Sequence, residues 1–410
     1  MRILQEAVEK ALQGLPLHAL TQLIVQKLAA QGVKLSTRQR ELLRNHLEQG
    51  GAETFSLRSW RWWERRKIII SFTPQEAKEV TEKIAAFLEN RLADLFAEAA
   101  EDLSKSILAD LKHRWSAESR RNRRQIDGFR RRLYKRWKLP LEGLNMLLTV
   151  SREFGASINE ELRQSPDPSI KFLVEVLTRS HARACQVAEE IVCLLDGGFA
   201  DGAMARWRTL HEIAVVALFI SAHGEDLAER YVMHQKVESR RAAVEYEKVR
   251  GRLKYEPLDA KEVKQLEDDF AAVITRFGPT FKEQYGWAAQ QLGNPKPTFA
   301  DIERAARIDH LRAHYRMASH NVHANPKGVL FKLGLLHETH ILLSGPSNAG
   351  LADPGHGAAI SLAQVSTTLS VLHPTLDTNV SLRVIAQLVH EVGEMFGQAH
   401  IDLENDAASA

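Results

Sequence analysis

The strongest constraint on this chain is the spacing of its apolar residues, which recur three and four positions apart over most of its length instead of alternating. Ile126, Phe129, Leu133 and Trp137 follow one another at such steps, the spacing that lines one face of an α-helix. Helix-boundary residues stand between these stretches. Ser36 with Gln39, and Thr73-Pro74-Gln75-Glu76, have the form of capping boxes. Pro166-Asp167-Pro168, Asp196-Gly197-Gly198, Gly224 and Pro326 punctuate the rest. The expected fold is all-α: a multi-helix core with an N-terminal helical extension and room for one short hairpin. At 410 residues the chain exceeds a usual single domain. The division is expected between an N-terminal helical region, 1–112, and a core, 113–410.

In finer detail, residues 1 to about 50 read as three short helices, and a long helix should run from Thr73 to about His113. Another should begin near Ile126 and stop at Pro140, since proline interrupts helical hydrogen bonding. Further helices are expected at roughly 169–195, 199–222, 226–250, 259–277, 298–322, 358–372 and 379–403. Ile68-Ile69-Ile70 is the best strand candidate. The stretch from Gly328 to Gly345 reads as either a helix or a hairpin, and Ser344 to Gly357 as a loop.

Several function classes are disfavoured at once. The longest purely apolar run, Ile213 to Ile220, is far short of the roughly 20 residues that span a bilayer. The opening MRILQEAVEK carries two glutamates and a lysine, which would interrupt a secretory signal. Cys185 and Cys193, the only cysteines, fall about two turns apart on one helix, so they cannot pair with each other. They read as reduced core thiols of a cytoplasmic protein.

Net charge is +3, but it is unevenly distributed: Arg114 to Lys138 holds eleven Lys or Arg against Glu118 and Asp127. This segment admits three readings: a solvated helix face, a nucleic-acid surface, or a contact with an anionic membrane. Arg120, Arg121, Arg123, Arg124, Arg131 and Lys135 are the candidate phosphate contacts, and the tryptophans of 60–63 could stack on bases.

Six of the seventeen histidines lie between His310 and His340. Arg312, Arg316, Ser319 and His323 form a stripe there, because a separation of seven returns a helical residue to within about 20° of the first. Such a set can cleave a phosphodiester without metal: imidazole moves the ribose hydroxyl proton, guanidinium stabilises the phosphorane-like transition state, and Ser319 orients one of them. Arg316, six residues and then His323 resembles the ribonuclease motif of the HEPN superfamily, helical proteins common among toxins and phage-defence effectors. The residue after the arginine there is typically polar, whereas here it is Met317. Arg206 and His211 fit the loose motif too, but five positions on a helix lie about 140° apart.

A broader resemblance covers about 125–345. GFRRRLYKRWKLPLEGLNMLL, LLDGGFADGAMARWRTLHEIAVVALFI and YRMASHNVHANP resemble a bacterial family known as a domain of unknown function. Its recurrent polar positions correspond here to Arg208, Glu212, Ser319 and His323. The resemblances imply that His323 is the acid/base, Arg316 the phosphate stabiliser and Ser319 an orienting group, with Arg208 and Glu212 in support. They further imply RNA as substrate, a defence or toxin setting, and a homodimer pairing two motifs.

Two other readings stand beside this one. In the first, the polar stripe is structural, and the protein is a non-catalytic sensor or scaffold that binds nucleic acid or a protein partner. The second is a histidine-ligated metal protein using His310 with His314, His320 with His323, or His337 with His340; no His-Glu-x-x-His occurs to support it. No cofactor or metal is expected.

Overall fold

A computed structural model describes residues 3–49, 54–58, 65–69, 73–323, 325–336 and 342–409. The chain divides into two compact units, Met1–Arg124 and Gln125–Ala410. That division and the expected one at 112/113 both fall within a single helix. The tryptophans of 60–63, Ile70, His337 and His340 lie outside the described residues.

The first unit opens with two helices, α1 (Ile3–Ala30) and α2 (Thr37–Glu48), where three were expected. Pro16 sits inside α1 without ending it. About four further turns follow the proline, and they bury Ile24 and Leu28 against Leu35 and Leu43, which outweighs one lost hydrogen bond. The α2 capping box is formed: the Gln39 N–H donates to Ser36 Oγ at 3.4 Å, and the Ser36 N–H to Gln39 Oε1 at 2.9 Å. A hairpin of β1 (Thr54–Arg58) and β2 (Arg65–Ile69) pairs antiparallel, with Thr54 opposite Ile69. Thr73 and Glu76 then cap α3 (Pro74–Gln164) reciprocally.

Pro140 does not stop α3 either. An internal proline costs a helix about 3 kcal/mol. Here Leu133, Trp137, Leu141, Leu144, Leu147 and Leu148 are all sealed from solvent along the same stretch. Each such burial contributes roughly 1.5–3 kcal/mol, so packing prevails over the break.

The second unit continues with α4 (Lys171–Asp196), α5 (Ala200–His223), α6 (Glu225–Met233), α7 (Gln235–Leu253), α8 (Ala260–Phe277), α9 (Ala289–Leu292), α10 (Phe299–Ala305), α11 (Arg312–Val322), α12 (Pro326–Leu330), α13 (Ala352–Thr368) and α14 (Leu376–Ala408). α5 is the central element, packed against α4, α6, α10, α11 and α13. Its Trp207, Leu210, Ala214, Val215, Phe219 and Ile220 are buried. Two expectations are corrected here. The helix expected over 298–322 is two helices, because Arg307 takes a left-handed backbone, φ 60°, which an α-helix cannot pass through. The expected loop 344–357 instead gives way to α13 from Ala352, where Pro354 falls in the first turn and its missing N–H costs nothing.

Cys185 and Cys193 both lie on α4 as free thiols, but only Cys185 is in the core; Cys193 is exposed. Among the described residues no helix is long and apolar enough to cross a membrane.

His181 of α4 shows how tightly α3 packs here. A Cβ on Gly155 would meet the imidazole at 2.4 Å, so only glycine fits. Ser366 Oγ donates to the Leu362 carbonyl and lies 3.2 Å from His181 Nε2. With the one hydroxyl hydrogen thus committed, Nε2 must donate to Ser366. Burial lowers the His181 pKa from 6.5 to about 4. The neutral ring is the folded form, so its contribution is complete above the unfolded value and is lost as pH falls from about 6.5 towards 4. The loss should reach about 3 kcal/mol. Urea unfolding followed by tryptophan fluorescence should show it, and His181→Gln should flatten that pH dependence.

Candidate functional site

Of the candidate residues, Arg208, Glu212 and Arg312 come together where α5 packs against α10 and α11. On α5, Arg208 and Glu212 are one turn apart, with Arg208 Nε 3.2 Å from Glu212 Oε1. Tyr315 of α11 closes the pair. Its hydroxyl accepts from Arg208 Nη2 at 3.0 Å and donates to Glu212 Oε1 at 2.7 Å. Burial and then Glu212 push the Tyr315 hydroxyl up to about 12. Burial by itself would lower the Arg208 guanidinium, but Tyr315 and Glu212 outweigh it and raise its pKa. The ion pair is thus half-buried and tied to α11 through a neutral phenol.

A second triad lies alongside. Glu303 of α10 has no exposed side-chain surface; one oxygen takes His211 Nε2 at 2.8 Å and the other takes Arg312 Nη1 at 2.8 Å. His211 is equally sealed, and burial lowers its pKa against the pull of Glu303. A neutral His211 donates through Nε2, which leaves its buried Nδ1 without a partner. The ring stacks on Trp207 at 5.3 Å, and the Arg312 guanidinium lies 5.3 Å from the centre of the Tyr315 ring. Arg206, on the same helix, turns instead to Glu190.

The stripe inferred from the sequence therefore splits. Arg312, the first residue of α11, is committed to Glu303. Ser319 Oγ donates to the Tyr315 carbonyl at 2.8 Å, so its hydrogen is also committed. Arg316 and His323 are exposed and carry no partner among the described residues. His323 ends the helix: its backbone is extended, φ −107° and ψ 139°, while its N–H still bonds the Ser319 carbonyl. It caps the stripe and does not continue it.

The turn after α11 is held closely. Asn325 caps α12 by accepting the Gly328 N–H at 2.8 Å, and its Nδ2 lies 2.8 Å from His320 Nδ1. A Cβ on Gly328 would fall 1.9 Å from the His320 carbonyl oxygen, so α12 can sit on the end of α11 only through glycine. On the other side, Glu212 lines an open groove of about 1010 Å³ shared with Arg183, Tyr231, His234, Tyr285 and Trp287.

Of the basic candidates, Arg120, Arg121, Arg123 and Arg124 are exposed in the first unit, and Arg131 and Lys135 in the second. None of the six forms an ion pair among the described residues, whereas Arg114, Arg136 and Lys138 pair with Asp110, Asp406 and Glu142. Among the described residues there is no group of three or more His, Cys, Asp or Glu placed to hold a metal ion.

Sequence reasoning missed Tyr315, Glu303 and His211 as partners. Tyr315 carries a signal in retrospect, being three residues after Arg312 and four before Ser319 on one helix face. Glu303 carries none, because the turn at Arg307 that brings it back is invisible to periodicity. Tyr315→Phe removes the hydroxyl joining Arg208 to Glu212 and should cost about 1–3 kcal/mol, read as a lower urea midpoint. The larger loss is expected from Glu303→Ala, about 3–5 kcal/mol, because it strands the Arg312 charge and His211.

No curated protein and no solved structure matches the chain. A family model does match, over residues 174–339, from α4 through the turn beyond α12. That span contains both triads as well as Arg316, Ser319, His320 and His323. The central helical segment of this chain, 174–339, is a match to the family of unknown function DUF5677.

Proposed function

We propose that this protein is a metal-independent ribonuclease, with Arg316 and His323 as its reacting groups. The observation that carries the reading is a contrast between the paired residues where α5, α10 and α11 pack together and the unpaired ones on α11 and at its C-cap. Arg208 and Arg312 are neutralised by Glu212 and Glu303, and the Ser319 hydroxyl is bonded to backbone, whereas Arg316 and His323 stay exposed and unpaired. His323 caps α11 about two turns beyond Arg316, with both side chains exposed, and in this reading one phosphodiester meets both. His323 takes the 2′-hydroxyl proton as the 2′-oxygen attacks phosphorus. The P–O5′ bond breaks, and the same imidazole passes the proton to the departing 5′-oxygen. Arg316 stabilises the charge on the phosphorane oxygens. The products are a 2′,3′-cyclic phosphate and a 5′-hydroxyl. In this reading Arg208, Glu212 and Tyr315 are positioning residues that hold α11 against α5.

The exposed, unpaired arginines and lysine of α3 would draw in RNA electrostatically. A cytoplasmic setting, a toxin or defence role, and a homodimer pairing two motifs extend the same proposal from the HEPN resemblance. One observation favours a different reading, a non-catalytic binding scaffold: the charges of both triads are internally satisfied, as in a structural lock.

Arg316→Ala and His323→Ala separate the two. Both side chains are exposed, so thermal unfolding should stay within about 0.5 kcal/mol of wild type, while cleavage of a single-stranded oligoribonucleotide falls at least about a hundredfold. Unchanged cleavage in both variants, or no cleavage by the wild type, supports the scaffold. The logarithm of RNA affinity should fall linearly with the logarithm of salt. Arg131→Ala with Lys135→Ala should lower that slope by about 1–2, and a flat salt response would remove α3 from the interface.

A further inference from the structure

The imidazole next to Arg316 with a defined proton position is His320, not His323. Asn325 Oδ1 is already committed to the Gly328 N–H, so the atom 2.8 Å from His320 Nδ1 is the amide nitrogen, Nδ2. An amide nitrogen only donates. His320 Nδ1 must therefore be the acceptor, and in the neutral ring the proton sits on Nε2. That N–H has no partner among the described residues, and it is not sealed away from solvent. His320 follows Arg316 by four residues, one turn along the same helix face. The arrangement is rigid at its far end, where the Gly328 backbone closes against the His320 carbonyl.

A half-buried imidazole with an unpartnered Nε2–H, one helical turn from an unpaired guanidinium, makes a donor pair for an anionic oxygen. The ring has its second nitrogen occupied by an amide donor, so it is arranged to donate a hydrogen bond and not to shuttle a proton. We infer that His320 donates a hydrogen bond to a non-bridging phosphate oxygen of the RNA, alongside Arg316, and that Asn325 is the residue that positions it. This rests on the proposed ribonuclease reading and adds to it a recognition element. Arg316 supplies charge, His320 a directed donor, and His323 alone moves the proton.

The test compares His320→Ala, His320→Gln and Asn325→Asp on a single-stranded oligoribonucleotide at about pH 9, where an ordinary imidazole is neutral. His320→Ala should lower kcat/KM about 10- to 100-fold, the scale of losing one hydrogen bond to a charged group. His320→Gln should recover most of that loss, since its amide can donate where Nε2–H did. Asn325→Asp keeps an oxygen for the Gly328 N–H but offers a second acceptor to His320 Nδ1. It should draw the proton off Nε2 and match the loss of His320→Ala. Nitrogen-15 shifts of the His320 ring should report protonated Nε2 in the wild type and protonated Nδ1 in Asn325→Asp. An active wild type with unimpaired His320→Ala, or with His320→Gln as defective as His320→Ala, overturns the role of His320 and leaves the ribonuclease standing. A wild type that cleaves no RNA overturns the ribonuclease reading and this inference with it.

Discussion

A carboxylate with no exposed surface cannot stay in a helical core unless its charge is answered at both oxygens. Glu303 meets this condition with His211 on one oxygen and Arg312 on the other. Those two contacts determine where α10 and the start of α11 must lie against α5. Once Arg312 is held at the first turn of α11, every later residue of that helix has its direction set by the 3.6-residue turn. Tyr315 falls inward onto Arg208 and Glu212, while Arg316 falls outward. Replacing such a buried network by apolar residues can be neutral or even stabilising. Its value here is the unique register it imposes on a short helix of eleven residues, which would be marginal by itself.

That register sorts the charges. Arg208, Arg312, Glu212 and Glu303 answer one another within the interface, and Ser319 is tied to the backbone. His314 and Arg316 are exposed on α11, and His320 and His323 follow at its end, framed by the turn that Asn325 and Gly328 hold. The groove lined by Glu212 carries both signs of charge, which suits it poorly to a polyanion.

Much of the architecture was legible in the sequence because helices bury continuous apolar faces. The α4 and α5 boundaries at Asp196-Gly197-Gly198 and Gly224 follow directly from it. At two of the misread positions a local rule gives way to tertiary packing. Pro16 and Pro140 are local helix breakers overruled by Leu28 and Trp137 and their neighbours, and Pro354 is harmless because it lies in a first turn. Arg307 is the converse: nothing in its side chain announces a left-handed backbone, yet it divides the helix that the apolar spacing had joined. For the site, Arg208 and Glu212 were visible as an i, i+4 pair, whereas the seven-residue return from Arg316 to His323 stops short, because the backbone leaves the helix at His323. The partner that unites the first pair, Tyr315, looked like an ordinary core aromatic, and the buried carboxylate of Glu303 depends on a turn that periodicity cannot show.

The central claim is that α11 presents an arginine and a histidine to a phosphodiester and breaks it by transfer to the neighbouring ribose hydroxyl. End-group analysis of RNA incubated with the wild-type protein in excess chelator tests this most directly. The account requires cleavage to persist, with 2′,3′-cyclic phosphate on one fragment and a 5′-hydroxyl on the other. Fragments bearing 5′-phosphate and 3′-hydroxyl ends, or RNA left intact, would contradict it.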